Sequence, residues 1–424
     1  MQVRRDASRF ARVAHFGPRR IVPAVLEGVS GRRAGTLVVK ARIMVGDCAE
    51  RLRELEPESI DAIVTDPPYG LGFMGKAWDH AVPSSDVWRE VLRVLKPGGH
   101  MVAFFGSRTY HRGAVAIEDA GFEIRDQLMW IYGSGFPKSL NVAIAIDKQA
   151  GATGDRGRRC SVVGNRAQGE DVERAVGMPA HEPITEDAKR WNGWGTALKP
   201  AHEPIVLARK PFRGTVAANV LEHGTGAINV EACRVGDDVR EQSIRSAPSG
   251  FYDIGTPNDA SKNEPAIYVG RWPANVMHDG ADDVLKHFPR SDSTPYRENV
   301  AAGDVLPLST RTAGGFSDSG SAARFFYTAK ASADDRNDGI PARLRNRHPT
   351  VKPCDLMRWL VRLIAPPGGI VLDPFMGSGS TGKAAMLEGF DFVGCELDPA
   401  HAEIAELRIS GAGGLFCDME SDRK

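Results

Sequence analysis

The 424-residue sequence contains little cysteine and no long apolar run, and each shortage excludes a class of protein. The cysteines include no C-x-x-C pair, which argues against a structural zinc site and against a disulfide framework, and indicates a reducing compartment. No apolar run approaches the roughly 18 residues of a membrane helix, and no apolar segment follows the N-terminal arginines, so neither a membrane span nor a secretory signal is predicted. The 6 cysteines are Cys48, Cys160, Cys233, Cys354, Cys395 and Cys417.

An excess of charge of either sign is also absent, because 54 Lys and Arg balance 54 Asp and Glu in a chain that is 42% hydrophobic. This composition is typical of a globular protein with two or three domains, and any nucleic-acid partner would need local basic patches. One such patch opens the chain, where the first 42 residues hold ten basic side chains and only Asp6 and Glu27 as acidic ones. A basic arm and a solvated extension are both open interpretations of residues 1–40.

Short apolar runs alternate with amphipathic segments from residue 41 onward. SIDAIVT (59–65) is typical of a buried strand, VWREVLRVL (87–95) of a helix with one apolar face, and HMVAFF (100–105) of another strand. Such alternation predicts the α/β class with a parallel sheet. The pattern fades into Gly-, Asp-, Ser-, Asn- and Arg-rich sequence and then returns, where Leu356, Trp359, Leu360 and Leu363 have the spacing of one helix face. We therefore predict two halves of one α/β domain, 41–212 and 341–424, separated by a loop-rich inserted module, 213–340.

One glycine-rich loop fits two phosphate-binding patterns at once. LDPFMGSGSTGKAA (372–385) contains both G-x-G-x-x-G and G-x-x-x-x-G-K. A P-loop needs Ser or Thr after its lysine to bind magnesium, but Ala384 follows Lys383, so ATP hydrolysis is disfavoured.

An adenosine-containing cofactor fits the same loop better. Glu396 ends the next predicted strand, nineteen residues after Gly377, which is the spacing that a ribose-binding carboxylate needs. Asp373 would repel a pyrophosphate but would suit the positively charged methionine part of S-adenosylmethionine. A tight strand-to-helix turn without a ligand is the structural alternative.

A second motif, Asp66-Pro67-Pro68-Tyr69, follows the buried strand SIDAIVT. Two prolines fix φ and remove two N–H donors, so the turn is rigid. The Asp66 carboxylate and the Pro67 carbonyl can then accept both hydrogens of a planar amino group, and Tyr69 can stack on the ring that carries it. The alternative is a proline-stiffened turn with a packed tyrosine.

In combination, these motifs resemble the amino-methyltransferases of DNA, which methylate adenine N6 or cytosine N4. Asp66–Tyr69 matches their catalytic motif, and Asp373-Pro374-Phe375-Met376-Gly377-Ser378-Gly379 their cofactor loop. The catalytic motif comes first, a circularly permuted order that resembles the beta class, as does His348-Pro349-Thr350-Val351-Lys352-Pro353. EPIVLARKP (203–211) is typical of a further strand, and the stretch at 196–211 that contains it is similar to a strand of phage and prophage members.

The resemblance implies a Rossmann-like fold, S-adenosylmethionine as cofactor, and double-stranded DNA as partner. It implies that Asp47 and Cys48 lie at the cofactor adenine, Glu396 at its ribose, and Thr350 and Lys352 over its methionine end. A cytoplasmic location, in a bacterium or a phage-infected cell, and a possible homodimer also follow from it. Pairing with a restriction nuclease is typical of the family. The cofactor-loop residues expected to contact the cofactor are Asp373, Pro374, Phe375, Gly377 and Gly379.

Target binding would depend on basic residues, because duplex DNA is held through its phosphates. For each one, an exposed solubilising charge is the alternative. Asp at the first position of the catalytic motif favours adenine over cytosine, and methyltransferases of RNA or of protein glutamine are more distant alternatives. The residues expected to contact DNA are Lys76, Arg271, Arg336, Arg343, Arg345 and Arg347.

Overall fold

A computed structural model describes residues 39–72, 77–135, 139–152, 182–242, 266–293, 318–329, 334–341, 344–413 and 417–422. Nearly all of the predicted basic extension, together with Lys76 and Arg343, lies outside the described residues. None of the helices within the described ranges is long and apolar enough to cross a membrane.

Strands and helices follow one another along the chain as the sequence pattern predicts. The first half contains β1 (Val39–Val45), α1 (Cys48–Leu52), β2 (Ile60–Thr65), α2 (Ser85–Val94), β3 (Leu95–Phe104), α3 (Tyr110–Asp119), β4 (Glu123–Ile131), α4 (Val142–Gln149), α5 (Glu186–Arg190), β5 (His202–Arg209) and α6 (Val216–His223). The middle contains β6 (Val235–Gln242), β7 (Ala266–Arg271), β8 (Val276–His278), α7 (Asp282–Leu285), β9 (Arg290–Ser293), β10 (Asp318–Ser321) and β11 (Tyr327–Thr328). The last part contains α8 (Cys354–Ile364), β12 (Ile370–Asp373), α9 (Ser380–Glu388), β13 (Asp391–Glu396), α10 (Pro399–Gly413) and β14 (Cys417–Asp422).

Within the described ranges, ten of these strands form one sheet in the order β11-β8-β4-β5-β3-β2-β12-β13-β1-β14. Strand β5 pairs antiparallel with both β3 and β4, whereas the other pairs are parallel. The predicted α/β class with a mainly parallel sheet is therefore confirmed. The segment at 203–209, predicted only as a strand, is the one that runs in the reverse direction.

The direction in which the chain crosses the sheet changes between β2 and β12. From β2 the chain steps to β3 on one side, whereas β12, on the other side of β2, is followed by β13 further out. Loops at the carboxyl ends of two such strands diverge and leave a crevice, which is where open α/β sheets bind ligands. The two predicted motifs begin directly after these two strands.

Apolar side chains cover both faces of the sheet. One core joins the sheet to α8, α9 and α10, and the other joins it to α2 and α3. Helix α8 shows why its sequence folds as a helix: the predicted stripe of Leu356, Trp359, Leu360 and Leu363 recurs every three or four residues and is buried. This packing fixes the position of the segment before α8, which reaches the crevice.

The predicted inserted module is not separate from the sheet along its whole length. Strands β8 and β11 fall within 213–340 but pair with each other and, through β8, with β4 of the main sheet. The loop between α6 and β6, which also falls within 213–340, packs on α8. There the backbone N–H of Asn229 donates to the Leu363 carbonyl over 2.7 Å. A boundary at residue 213 therefore divides one continuous structure, and a role of 213–340 in DNA recognition stays a prediction.

Candidate functional site

The Asp66–Tyr69 turn follows the carboxyl end of β2, and the buried carboxylate of Asp79 stabilises it through hydrogen bonds to its backbone. Asp79 is 2% exposed. Its Oδ1 accepts from the backbone N–H of Tyr69 at 2.7 Å and of Gly70 at 2.9 Å, and its Oδ2 accepts from that of Leu71 at 3.2 Å. Asp79 therefore anchors the loop that carries the Asp66–Tyr69 motif.

Four polar side chains meet in front of this turn. The Lys352 ammonium donates to Asp66 Oδ2 at 2.7 Å and to Tyr69 Oη at 3.1 Å, and it lies 3.1 Å from Glu203 Oε2. The Tyr69 hydroxyl lies 2.8 Å from Asp66 Oδ1 and 3.0 Å from Glu203 Oε2. An ammonium has three protons, so these three oxygens use all of them.

The two carboxylates of this cluster keep both Tyr69 and Lys352 protonated. Burial and the carboxylates of Asp66 and Glu203 raise the pKa of Tyr69 well above its ordinary value, so the phenol stays protonated. Burial alone would lower the pKa of Lys352, but the same two carboxylates outweigh it and raise the pKa above its ordinary value. Lys352 is therefore a cation, and the cluster contains two acidic side chains for one basic one.

Two features of the cluster differ from the sequence-based expectation. Lys352 was expected over the methionine end of the cofactor, whereas its ammonium binds at the Asp66–Tyr69 turn, and its role towards the cofactor stays a prediction. Glu203 was not singled out at all. Its only sequence signal is a charged residue at the start of a predicted strand, and it reaches the cluster because β5 is antiparallel and begins at the edge where β2 ends.

The glycine-rich loop leaves the carboxyl end of β12, next to the catalytic turn. Gly377 and Gly379 both have positive φ, 56° and 79°, which glycine adopts without strain. A Cβ on Gly377 would lie 2.9 Å from His348 Nε2, and one on Gly379 would lie 2.9 Å from the Cβ of Ala405. The loop therefore needs glycine for its conformation and for close packing.

Asp373, which is 2% exposed, stabilises the base of the glycine-rich loop through buried hydrogen bonds. Its Oδ1 accepts from the Thr65 hydroxyl at 2.6 Å and its Oδ2 from the Thr381 hydroxyl at 2.6 Å. Burial raises the pKa of Asp373 to about 7, against the opposing effect of these hydroxyls. In this arrangement the carboxyl group links β12 to β2 and to α9.

Glu396 is the last residue of β13, and Asp47 lies two residues after the neighbouring strand β1, where it caps α1. Glu396 Oε2 accepts from the backbone N–H of Gly377 at 2.8 Å, and Asp47 Oδ1 accepts from that of Ala49 at 2.9 Å. A carboxylate offers about four acceptor positions, so each can accept further hydrogen bonds. Acidic acceptors at this edge suit a phosphate-free cofactor with ribose hydroxyls and an amino group.

Lys383 and Arg408 show that the loop does not hold phosphate through the lysine of its P-loop pattern. Lys383 is 3% exposed and donates to Asp335 at 3.1 Å and to Asp338 at 2.8 Å. Arg408, which is fully buried, donates to the Ser378 carbonyl at 2.6 Å and so fixes the loop to α10. Both cations are used to hold the protein together.

The other predicted cofactor residues lie around the same edge. Phe375 is half-buried and packs against Trp88, with 6.1 Å between ring centroids, and Cys48 is half-buried at the start of α1. Pro374 is buried, whereas Thr350 is exposed and its carbonyl lies 2.7 Å from His348 Nδ1. One part of the Phe375 ring therefore contacts Trp88, and the Thr350 side chain is exposed to solvent.

The predicted DNA contacts divide into engaged and exposed residues. Arg271 forms an ion pair with Asp238 at 2.8 Å, and Arg336 donates to the His348 carbonyl at 2.6 Å. Both guanidinium groups serve internal contacts, and a role of these two residues in DNA binding stays a prediction. Arg345 and Arg347 are exposed and keep the predicted role as a proposal.

Comparisons with known proteins agree with this geometry. A family model for N6/N4 methyltransferases, described as DNA methylase, matches residues 60–407. The chain is 25% identical over 229 residues to the type II methyltransferase M.HindIII of Haemophilus influenzae, covering 43% of this chain and 63% of that protein. It is 32% identical over 96 residues to YubD of Escherichia coli, covering 21% of this chain and 42% of that protein. The chain thus spans less than two thirds of the length of either relative.

Two solved structures are similar to most of the chain at low identity. The PvuII DNA methyltransferase, described as cytosine-N4-specific, has 14% identity and a TM-score of 0.42, covering 87% of this chain and 86% of that one. The M1.HpyAVI–SAM complex has 15% identity and a TM-score of 0.38, covering 87% and 98%. The fold assignment rests on the strand order described above.

Proposed function

This chain belongs to the N6/N4 family of DNA methylases, and from that premise we propose that it transfers a methyl group from S-adenosylmethionine to the exocyclic N6 of an adenine in duplex DNA. The observation that carries the proposal is the adjacency of two loops at the switch point of the sheet. The Asp66–Tyr69 turn and the 373–379 loop follow the paired strands β2 and β12. A hydrogen bond of 2.6 Å between Thr65 and Asp373 joins them.

The catalytic turn supplies what an amino nitrogen needs to react. The lone pair of an exocyclic amino group is delocalised into the base, and hydrogen bonds from its protons to oxygen acceptors make the nitrogen more nucleophilic. Asp66 provides a carboxylate, and the rigid turn presents the Pro67 carbonyl. The target base is inaccessible inside a duplex, so it would have to be flipped out.

Tyr69 is the surface on which the flipped base would stack. Its hydroxyl is held by Asp66 and Glu203, so the orientation of the ring is fixed before a base arrives. Gly106 allows this position, because a Cβ there would lie 3.2 Å from Tyr69 Cδ2. Fixed placement of two reactants can supply roughly 7–11 kcal/mol of a reaction barrier.

Residues at the carboxyl ends of β12, β13 and β1 would hold the cofactor. Glu396 would accept from the ribose hydroxyls, Asp47 from the adenine amino group, and the backbone at Gly377 and Gly379 would permit close approach. When bound, S-adenosylmethionine supplies a methyl group activated by a positively charged sulfur. The acidic side chains at this edge match that charge.

A cysteine nucleophile has no place in this reaction. Pro353-Cys354 is the only Pro-Cys pair in the chain, and Cys354 is buried at the start of α8. Burial raises the pKa of its thiol to about 11, so it is protonated and unreactive near neutral pH. In the proposed direct transfer, the target nitrogen would form its bond to the methyl carbon as the bond from that carbon to the sulfonium sulfur breaks, which leaves a neutral thioether, and the nitrogen would then release one proton to solvent.

Adenine is favoured over cytosine because Asp66 stands at the first position of the catalytic motif. N4 of cytosine is the alternative acceptor, since the same oxygens can bind either amino group. RNA or a protein glutamine is a more distant alternative. A duplex DNA substrate would be held through phosphates, for which the exposed Arg345 and Arg347 are available.

The acceptor can be identified by the product. Purified protein is incubated with methyl-labelled cofactor and unmethylated duplex DNA, RNA or a protein extract, and the nucleic acids are digested to nucleosides. Label in N6-methyldeoxyadenosine is expected. Label in N4-methyldeoxycytidine would transfer the proposal to cytosine, and label confined to RNA or protein would refute it.

A further inference from the structure

Glu203 and Asp66 share the same two hydrogen-bond donors. The Lys352 ammonium lies 2.7 Å from Asp66 and 3.1 Å from Glu203, and the Tyr69 hydroxyl lies 2.8 Å from Asp66 and 3.0 Å from Glu203. The single hydroxyl proton of Tyr69 can serve only one carboxylate well at a time. The two carboxylates therefore compete for one cation and one proton.

This sharing bears on how well Asp66 can bind an amino group. With Lys352 on Oδ2 and Tyr69 on Oδ1, both oxygens of Asp66 already accept a strong donor. A carboxylate whose charge is offset by an adjacent ammonium is a weaker acceptor for a neutral N–H. The target amino group is thus polarised more strongly when these donors move away from Asp66.

Glu203 is placed to receive them. It lies at the start of the antiparallel strand β5, and its side chain is 20% exposed. Both donors are already within hydrogen-bond distance of its Oε2, so a small shift would bring them closer to Glu203 than to Asp66. The Lys352 ammonium also lies 5.4 Å from the ring centroid of Tyr69 and 4.9 Å from that of Phe104.

We propose that Glu203 is a positioning residue for methyl transfer: it takes over the Lys352 ammonium and the Tyr69 hydroxyl when the target amino group reaches Asp66. The inference rests on the proposed function and deepens it, since it explains how one carboxylate is made available by another. Glu203 itself touches neither base nor cofactor in this scheme. Its effect passes through Lys352 and Tyr69.

The test compares four proteins by steady-state methyl transfer to unmethylated duplex DNA: the wild type, Glu203→Gln, Glu203→Asp, and Glu222→Gln as a control on the exposed face of α6. Glu203→Gln keeps the shape of the side chain but removes the charge that attracts Lys352. We expect kcat to fall on the order of 10- to 100-fold, the loss of a charge-assisted partner, with KM for the cofactor unchanged. Glu203→Asp should recover part of kcat, and Glu222→Gln should match the wild type.

Two further measurements separate positioning from folding. The melting temperature and the calorimetric affinity for S-adenosylhomocysteine should be unchanged in Glu203→Gln. An unchanged kcat would overturn the inference, as would a rise in KM for DNA at constant kcat, which would assign Glu203 to direct binding of the base. A loss of kcat matched by a lower melting temperature, and not relieved in Glu203→Asp, would make the residue structural and would also overturn it.

A double-variant comparison tests the route through Lys352. In a Lys352→Gln background the ammonium is absent and only the route through Tyr69 remains, so adding Glu203→Gln should lower kcat by clearly less than it does in the wild type, because residues that act through a shared partner are non-additive. Equal effects in both backgrounds would contradict the inference. Should Lys352→Gln be too slow to assay, the comparison of Glu203→Gln with Glu203→Asp decides. A wild type that transfers no methyl group to DNA would instead refute the proposed function.

Discussion

The Thr65 hydroxyl donates to Asp373 Oδ1 over 2.6 Å, and this bond joins two segments that lie 308 residues apart in the chain. Thr65 is the last residue of β2, directly before the catalytic turn, and Asp373 is the last residue of β12, directly before the cofactor loop. Both residues are buried, so the bond is shielded from water. The relative position of the two loops is therefore fixed at their bases.

Removal of the Asp66 carboxylate should abolish most methyl transfer without loss of the fold. Asp66→Ala takes away the proposed acceptor of the target amino group, and we expect kcat to fall on the order of 10²–10³-fold, as for loss of one preorganised transition-state contact. Asp66→Asn keeps a carbonyl acceptor and should fall less. Calorimetry should show unchanged cofactor affinity in both, and an unaltered kcat in Asp66→Ala would contradict the assigned role.

Asp79 should matter for stability and activity together, because it accepts three backbone N–H groups of the loop after the catalytic turn. Asp79→Ala should lower the free energy of unfolding by about 1–3 kcal/mol through unsatisfied buried donors, and should lower kcat as well. Asp79→Asn keeps one oxygen and should be intermediate. Asp86→Asn, at an exposed residue paired with Arg89, is the control and should leave denaturant unfolding unchanged.

Gly389 has nearly the same φ as Gly379 but no crowded surroundings, so comparing alanine variants of the two separates the effect of packing from that of positive φ. Gly379 and Gly389 have φ of 79° and 80°, but a Cβ on Gly379 would lie 2.9 Å from Ala405, whereas one on Gly389 would meet nothing within 4 Å. Gly389→Ala should cost only the backbone strain, about 1–2 kcal/mol. Gly379→Ala should cost more and should also weaken cofactor binding in calorimetry, and equal effects would show that crowding is unimportant.

Asp373 should make stability depend on pH in a predictable direction. Burial raises its pKa from 3.8 in the unfolded chain to about 7. Between these values the unfolded state has lost the proton and the folded state has kept it. The contribution of Asp373 to the free energy of unfolding is therefore present at low pH. It is lost as pH rises towards 7, by at most about 1.4 kcal/mol per pH unit.

The variant Asp373→Asn isolates this contribution, because an amide resembles the protonated carboxyl group and does not titrate. Denaturant unfolding of both proteins from about pH 4 to about pH 9 should show the wild type losing stability relative to the variant up to pH 7. Above pH 7 the difference in the free energy of unfolding between the two proteins should stay constant. A difference that is independent of pH would mean that Asp373 is ionised throughout.

Arg345 and Arg347 should contribute to DNA affinity without regard to sequence. Each is exposed, and replacement by Gln would remove one phosphate contact, which lowers the slope of log affinity against log salt by about 1. Fluorescence anisotropy with a labelled duplex at several salt concentrations measures this slope. Arg53→Gln, at the end of α1 and before β2 begins, is the matched control, and an equal loss there would remove the proposed role.

The sequence by itself determined the local parts of this protein. Alternating apolar runs predicted the α/β class, the stripe on α8 was confirmed, and Ala384 after Lys383 argued against ATP, in agreement with the buried ion pairs of Lys383. The two predicted ligand loops were also correctly placed at the ends of strands, because strand–turn spacing and proline or glycine chemistry act over a few residues.

Only the tertiary structure decided which distant side chains meet. The sequence marks 203–209 as a strand but contains no signal for its direction, and the reversal of β5 is what brings Glu203 to Lys352. Likewise, the sequence shows that Arg271 and Arg336 are basic but not that nearby oxygen acceptors already bind them. Contacts of this kind depend on strand order and packing, which the whole chain determines together.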